Sequence, residues 1–395
     1  MDQRYIHLVC CLLFLLGWGC REVYEPEIDQ EELEILVVEG HIEVEEGLSE
    51  IKLSYTSPIS SGEVFMNSIT NADVTIEYQD QAGSMVQIPL WGDQTGRYFF
   101  DRYLNSDGEY RLSIDIPEKG KYLSDWIRPQ ITPPIDSIGY HQGEDDDLEI
   151  YLNTKGNENA QYFIWNFEET WIFNTPIISF LKYVKLSETK DTILYRTANE
   201  MTNECFLSEK SNKVVIGSSA QYQDHSIHRK EIQQIPYGSE KLGRRYSIVI
   251  RQRAISKEAY DFFEILRKNS DDIGGVFSPL PSILGSNIHH VSNKERKAIG
   301  FITIGTSIEK RIYIGRHEIL NWQVNNPFYT GCEFSTDTVA VIDASASFNN
   351  NYRVPVSPIT ADNDPSRIVA YVGASTKCTD CTLRGQKEKP DFWEY

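Results

Sequence analysis

Positive charge is what this sequence lacks: 38 Lys and Arg stand against 58 Asp and Glu, a formal net charge of -20. Affinity for a polyphosphate backbone comes mainly from Lys and Arg displacing condensed counterions, so nucleic acid is not expected as a partner. The same deficit weakens attraction to anionic headgroups, so any membrane attachment should be covalent rather than electrostatic. Catalytic signatures are missing too. There is no Gly-x-Ser-x-Gly elbow, no His-Glu-x-x-His, no phosphate-cradling glycine loop followed by Lys-Ser or Lys-Thr, and no dinucleotide fingerprint. Neither an enzyme nor a bound cofactor is therefore expected. No tandem repeat is present.

What is present is aromatic. Tyr 22, Phe 17 and Trp 7 lift the aromatic share to 12%, which favours strands over helices, and 40% apolar with 24% charged residues is a globular composition. A chain of 395 residues fits two domains.

The longest apolar run lies at the start. Met1-Asp2-Gln3-Arg4-Tyr5 precedes Ile6 to Trp18, and the run ends Gly19-Cys20. It suits a secretory h-region and falls short of the roughly 20 residues that cross a bilayer as a helix. A small residue before a cysteine after such a run is what a lipoprotein signal peptidase needs. Residues 1–19 are thus expected to be a signal peptide and Cys20 the lipidated N-terminus, since several acyl chains on one residue hold almost permanently. The competing readings are an uncleaved hydrophobic helix and an ordinary signal peptide. Residues 20–34, with seven acids and one base, cannot bury enough apolar surface to fold alone and read as an acidic tether. An equal reading is a surface-export address.

From Ile35 onward the pattern is that of strands. Ile35-Leu36-Val37-Val38 is a buried run, Ile51, Leu53 and Tyr55 alternate with polar neighbours, and so do Val74, Ile76 and Tyr78. Short strands at this spacing predict an Ig-like β-sandwich over 35–130. Pro129, Pro133 and Pro134 then mark an extended boundary, because proline cannot donate to a sheet ladder. A larger β-rich domain is expected over 135–395, also sandwich-like. One helix is predicted near 256–268, with Ser256 as N-cap and Ala259, Phe262, Phe263 and Leu266 on one face, packing on the sheet. The fold class is thus mainly β.

Beyond the signal and the lipid site four cysteines remain: Cys205, Cys332, Cys378 and Cys381. Export puts them in an oxidising compartment, so disulfides are expected ahead of zinc or catalysis, with three full pairings open. A link from Cys332 to Cys378 or Cys381 is worth about 4 kcal/mol by chain entropy, against about 2 for the small Cys378–Cys381 ring. Proximity favours the small ring. The groupings Asp224-His225-Ser226-Ile227-His228 and His289-His290 read as exposed loop histidines, and Glu144 to Asp147 and Asp362-Asn363-Asp364 as solvated turns, so no metal site is expected.

Several landmarks fall in order along the chain: Val37-Val38-Glu39-Gly40, Ala72-Asp73-Val74-Thr75-Ile76, Gly108-Glu109-Tyr110-Arg111-Leu112, and Pro133-Pro134-Ile135-Asp136-Ser137-Ile138. Tyr162 to Trp165, Tyr260-Asp261-Phe262-Phe263, Ser286-Asn287-Ile288, Gly300-Phe301 and a tail of Cys378-Thr379-Asp380-Cys381-Thr382 with Lys389-Pro390-Asp391-Phe392-Trp393 follow. Together they resemble, over essentially the whole mature chain, the lipoprotein family catalogued as domain of unknown function 4249, typical of Bacteroidetes-type outer membranes. The resemblance implies location and company: an outer-membrane lipoprotein, expected at the cell surface, accessory to a TonB-dependent transporter. It supplies no catalytic residues. A binding or docking accessory is the expected function, with an exported carboxylate-based hydrolase and a purely structural envelope component as rivals. Trp165, Trp171, Phe173 and Trp322 are the candidate contact residues; the competing reading puts them in the core.

Overall fold

The computed structural model describes residues 34–45, 47–56, 67–143, 147–187, 190–271, 285–332 and 337–394. The signal peptide, Cys20, nearly all of the tether and most of the Glu144 to Asp147 cluster lie outside the described residues.

The first unit is a sandwich of two sheets. In one, strand Leu36–Glu43 lies between Ser49–Tyr55 and the short strands Ala298–Ile299 and Thr303–Gly305, with Arg97–Phe100 and Trp91–Gly92 beyond Ser49–Tyr55. In the other, the order is Ile288–His290, Gly120–Ser124, Tyr110–Ile116, Asp73–Gln79 and Met85–Pro89. Period-two patterning does the work: Leu36, Val38 and Ile42 from one sheet meet Val74, Ile76, Leu112 and Ile114 from the other, all fully buried or nearly so.

One part of this sandwich comes from far along the chain, so the boundary expected near residue 130 is incomplete. Residues 286–306 return to the first unit. Ile288–His290 extends one sheet, while Ala298–Ile299 and Thr303–Gly305 pair parallel to Leu36–Glu43 in the other. Asn287, itself buried, clamps the two legs: its Nδ2 donates to Ile302 O at 2.9 Å and its Oδ1 accepts from Ile302 N at 3.0 Å. Gly300 makes the close approach possible, since at φ 131° a Cβ there would sit 2.0 Å from Val38 O.

The second unit is also a sandwich. A three-stranded sheet, Ile135–Gln142, Leu148–Lys155 and Ser226–Ile235, faces a sheet ordered Glu204–Lys210, Tyr162–Asn174, Arg245–Ile255 and Ser307–Gly315. Val215–Ser218 shares the edge of Tyr162–Asn174 with Glu204–Lys210. The predicted helix is present as Lys257–Asp271, and the Ser256 hydroxyl accepts from Ala259 N at 3.2 Å as an N-cap should. Its apolar face packs with Ile164, Ile216, Ile255 and Phe301 on the outer side of that sheet.

The proline-marked boundary is extended but tightly held. Thr132 N donates to Thr306 Oγ1 and Ala254 N to Thr132 Oγ1, each at 2.8 Å, and Gln252 Nε2 reaches Pro133 O at 2.8 Å. Backbone donors that a linker would leave to water are thus satisfied internally, which fixes one sandwich against the other.

A third, smaller unit divides what reads in the sequence as a single C-terminal domain. Residues 175–203 leave the second sandwich as an excursion carrying the hairpin Leu181–Ser187 and Lys190–Tyr195. Residues 326–385 add the sheet Thr338–Ala340, Asp364–Ser375 and Arg353–Ala361 with the short helix Ala344–Phe348. Pro355 and Pro358 sit on Arg353–Ala361, an edge strand, where a missing donor is tolerated.

Candidate functional site

The four aromatics offered as contact residues are core. Trp165 is fully buried, and Trp171, Phe173 and Trp322 are 2–3% exposed. Trp165 Nε1 donates to Gln252 Oε1 and Trp322 Nε1 to Ser239 O, each at 2.8 Å, so these two indole groups are spent internally, while Trp171 Nε1 is buried without a hydrogen-bond partner. The physical reason is the strand period. Phe163, Trp165, Phe167, Trp171 and Phe173 occupy alternate positions of Tyr162–Asn174 and share the face turned toward the opposite sheet.

The cysteines pair as Cys205–Cys381 and Cys332–Cys378, the long-range solution rather than the small ring. Cys205 lies on an edge strand of the second sandwich, so its bond ties the third unit to that sandwich; Cys332–Cys378 closes the third unit's own core with Ile177, Val356 and Ala374. His290 is occupied structurally: Nδ1 accepts from Ser292 N and Asn293 N while Nε2 bonds Lys119 O at 3.0 Å. Asp364 caps the turn at Ser366. Among the described residues no three His, Cys, Asp or Glu side chains converge as a metal set.

Among the described residues the two most buried acids, Glu77 and Glu169, are tied to cations. Burial pushes the Glu77 carboxyl up, but hydrogen bonds from Gln87, Lys121 and Arg111 outweigh it and hold the group below the ordinary glutamate value. Glu169 accepts from Tyr246 Oη and Lys241 Nζ, each at 2.7 Å.

The third unit is where exposed apolar surface accumulates. It supplies half of the large apolar side chains that stand exposed among the described residues, including Phe180, Leu186, Tyr195, Ile342, Tyr352 and Ile368, although it holds under a quarter of the chain. Ile342 is 90% and Tyr352 84% exposed.

A clasp holds this surface in place. The Arg384 guanidinium lies 4.8 Å from the ring centroids of both Phe173 and Phe328 and 5.4 Å from that of Tyr329, and it donates two hydrogen bonds to the Glu240 carboxylate. Glu240 belongs to the second sandwich and Arg384 to the third unit. With both side chains under 20% exposed, water screens the pair weakly and the joint should be stiff. Sequence reading missed Arg384; its one signal is a lone Arg after the closely spaced cysteines.

Strand register shows where this unit stands. Tyr162 pairs with Ile255 and Arg253 with Ser307 at the end of the sheet beside the first sandwich. Asn174 pairs with Glu204 and Arg245 with Gly315 at the other end, where the third unit begins. The thirteen residues of Tyr162–Asn174 separate the two ends by about 40 Å. The near end is marked by Glu43, whose carboxylate accepts from Ser307 N, so Leu36 begins Leu36–Glu43 at the far side of the first sandwich. The entry of the described chain and the third unit are therefore at opposite ends.

A β-protein of two Ig-like sandwiches, extended by a disulfide-braced distal unit, is the class these observations define. The family model described as domain of unknown function (DUF4249) matches residues 21–311, and the chain belongs to that family. The match stops inside Ser307–Gly315, so the tail landmarks at 378–393 and most of the distal unit lie past it. No curated protein matches the chain. Among solved structures it is similar to three fibronectin type III domains of chicken contactin-1, at 9% identity and a TM-score of 0.20, covering 55% of this chain and 59% of that one. It is also similar to a two-domain fibronectin type III segment of chicken tenascin, at 10% identity and a TM-score of 0.14, covering 56% of this chain and 90% of that one. The chain thus spans under two thirds of the contactin fragment.

Proposed function

We propose that this protein is an outer-membrane lipoprotein, held at the cell surface by acyl chains on Cys20, that docks through its distal unit on a protein partner in the same membrane. The observation that carries the reading is the separation of ends: the chain enters at the outer side of the first sandwich, and the exposed apolar unit stands beyond the far end of the second. A tether at one end and adhesive surface at the other is the geometry of a presenting arm.

Three further points support it. Two buried disulfides suit an oxidising compartment, and so an exported chain. The apolar run before Cys20 suits the signal that directs acylation of that cysteine, and acyl chains there would anchor the protein once the run is cleaved away. The most buried carboxylates serve ion pairs, which favours binding over acid-base chemistry. The family resemblance makes a TonB-dependent transporter the partner class to test.

The test is co-purification of tagged protein from detergent-solubilised outer membrane. The expected result is a TonB-dependent transporter in the eluate, lost when Ile342→Asp and Tyr352→Asp are combined in a protein that still folds. Recovery of the tagged protein alone, from cells that express such transporters, contradicts docking.

A further inference from the structure

The second sandwich carries a cleft that the docking reading leaves unused. The shared edge of Tyr162–Asn174 is broken where Glu204–Lys210 ends and Val215–Ser218 begins, with Ser211 N donating to Phe167 O at the break. Residues 212–214 therefore bulge from the ladder. Opposite them runs Ser226–Ile235, the edge strand of the facing sheet, and the last turns of helix Lys257–Asp271 close the third side. Between these walls is a cavity of about 580 Å³. Small-molecule sites span roughly 300–1,000 Å³, so the space suits a compact organic ligand.

Its lining is two-sided. Val214, Val215, Ile216 and Ile232 give an apolar wall and Lys230 and Arg267 a cationic one, with Lys213 and a single carboxylate, Glu231, also on the lining. Neither cation forms a salt bridge or hydrogen bond with any described residue, and the Arg267 Nε is buried without a partner. Burial and then the charge of Arg267 pull the Lys230 ammonium below its ordinary value, outweighing the neighbouring Glu231 carboxylate, which pulls the other way. Two like charges held together, partly out of water, oppose folding unless something neutralises them. A lysine that merely guarded a sheet edge would project into solvent, where its charge costs nothing. In a chain with a net charge of -20, an unpaired cationic pair is also the less expected arrangement.

We infer that this cleft is a binding site for a small soluble organic oxyanion, a phosphate monoester or carboxylate, whose charged head lies between Lys230 and Arg267 and whose apolar part rests on Val214, Val215 and Ile232. The site lies on the second sandwich, separate from the distal unit, and does not depend on docking.

The experiment is calorimetric titration of the full chain, purified in a nonionic detergent, with phenyl phosphate as the probe. One site per chain is expected. Affinity should fall at least tenfold in Arg267→Gln and in Lys230→Gln and remain within about threefold in Arg267→Lys, with melting temperatures showing that each variant is folded. Inorganic phosphate should bind at least tenfold more weakly, since it lacks the apolar part. Undiminished binding in the combined Lys230→Gln and Arg267→Gln variant, or equal affinity for inorganic phosphate, would overturn the proposal. Vesicles of phosphatidic acid in phosphatidylcholine provide the second arm. Binding to those vesicles with none to phenyl phosphate would assign the anion to a lipid headgroup and overturn the soluble-ligand site.

Discussion

Arg384 and Glu240 meet across the joint between the second sandwich and the distal unit, with Arg384 Nη1 3.0 Å from Glu240 Oε2 and three aromatic rings around the guanidinium. Breaking a buried pair costs more than the pair itself contributes, because the remaining charge is left unneutralised. Arg384→Ala should destabilise the protein by about 3 kcal/mol, the lower end of the range for such breaks. It should also make residues 326–385 more susceptible to limited proteolysis than either sandwich. Equal susceptibility across the chain would show that the clasp does not hold the unit.

The disulfides make a second prediction. Cys205–Cys381 closes a loop of 176 residues and Cys332–Cys378 one of 46, worth about 5 and about 4 kcal/mol by chain entropy. Reduction should therefore loosen the distal unit first while the first sandwich, which contains neither bond, keeps its hydrogen-exchange protection. Simultaneous loss of protection in both would mean a single cooperative unit.

Gly300 tests the returning segment. Alanine there drives a methyl into Val38 O, a backbone atom that cannot step aside without disturbing Leu36–Glu43. A loss of at least about 2 kcal/mol is expected, as for other strained or overpacked sites. Chemical denaturation measures it, and a neutral effect would place 298–305 elsewhere.

How much of this was legible in the sequence follows from range. Strands with a clear two-residue period, the Ser256-capped helix and the extended proline boundary depend on neighbours in the chain and could be read directly. The return of 286–306 could not, because Ala298–Ile299 and Thr303–Gly305 are too short for periodicity and their partner lies more than 250 residues away. Applying the same alternation to Tyr162–Asn174 would have put Trp165, Trp171 and Phe173 on the face of Phe163 and Phe167, hence in the core. The distal unit hid behind Pro355 and Pro358, which interrupt the strand signal, and the Arg384 clasp is formed only by tertiary packing.

A fourth prediction concerns acid. His41 is buried where the sandwiches meet, its Nδ1 2.8 Å from Thr303 Oγ1, and burial followed by the charge of Arg253 holds it well below the ordinary histidine value. The Glu43 carboxylate stands 3.7 Å from Nε2, which by itself would favour the protonated ring. That carboxylate is engaged by Ser307 and faces Arg253, so burial prevails. Because the folded value lies below the unfolded one, stability is full above about pH 6.5 and falls as acid drives protonation of the unfolded chain. The loss should therefore grow steadily as the pH falls below about 6.5. His41→Gln should remove most of that slope in melting temperature against pH; an unchanged slope would clear His41 of the effect.

The central claim, that Cys20 anchors this arm to a membrane, is tested most directly by mass spectrometry of the N-terminal peptide from protein isolated in its native membrane. A peptide that begins at Cys20 and carries diacylglycerol and an amide-linked acyl chain is the predicted result. A peptide with an unmodified Cys20, or one still joined to Gly19, would contradict it.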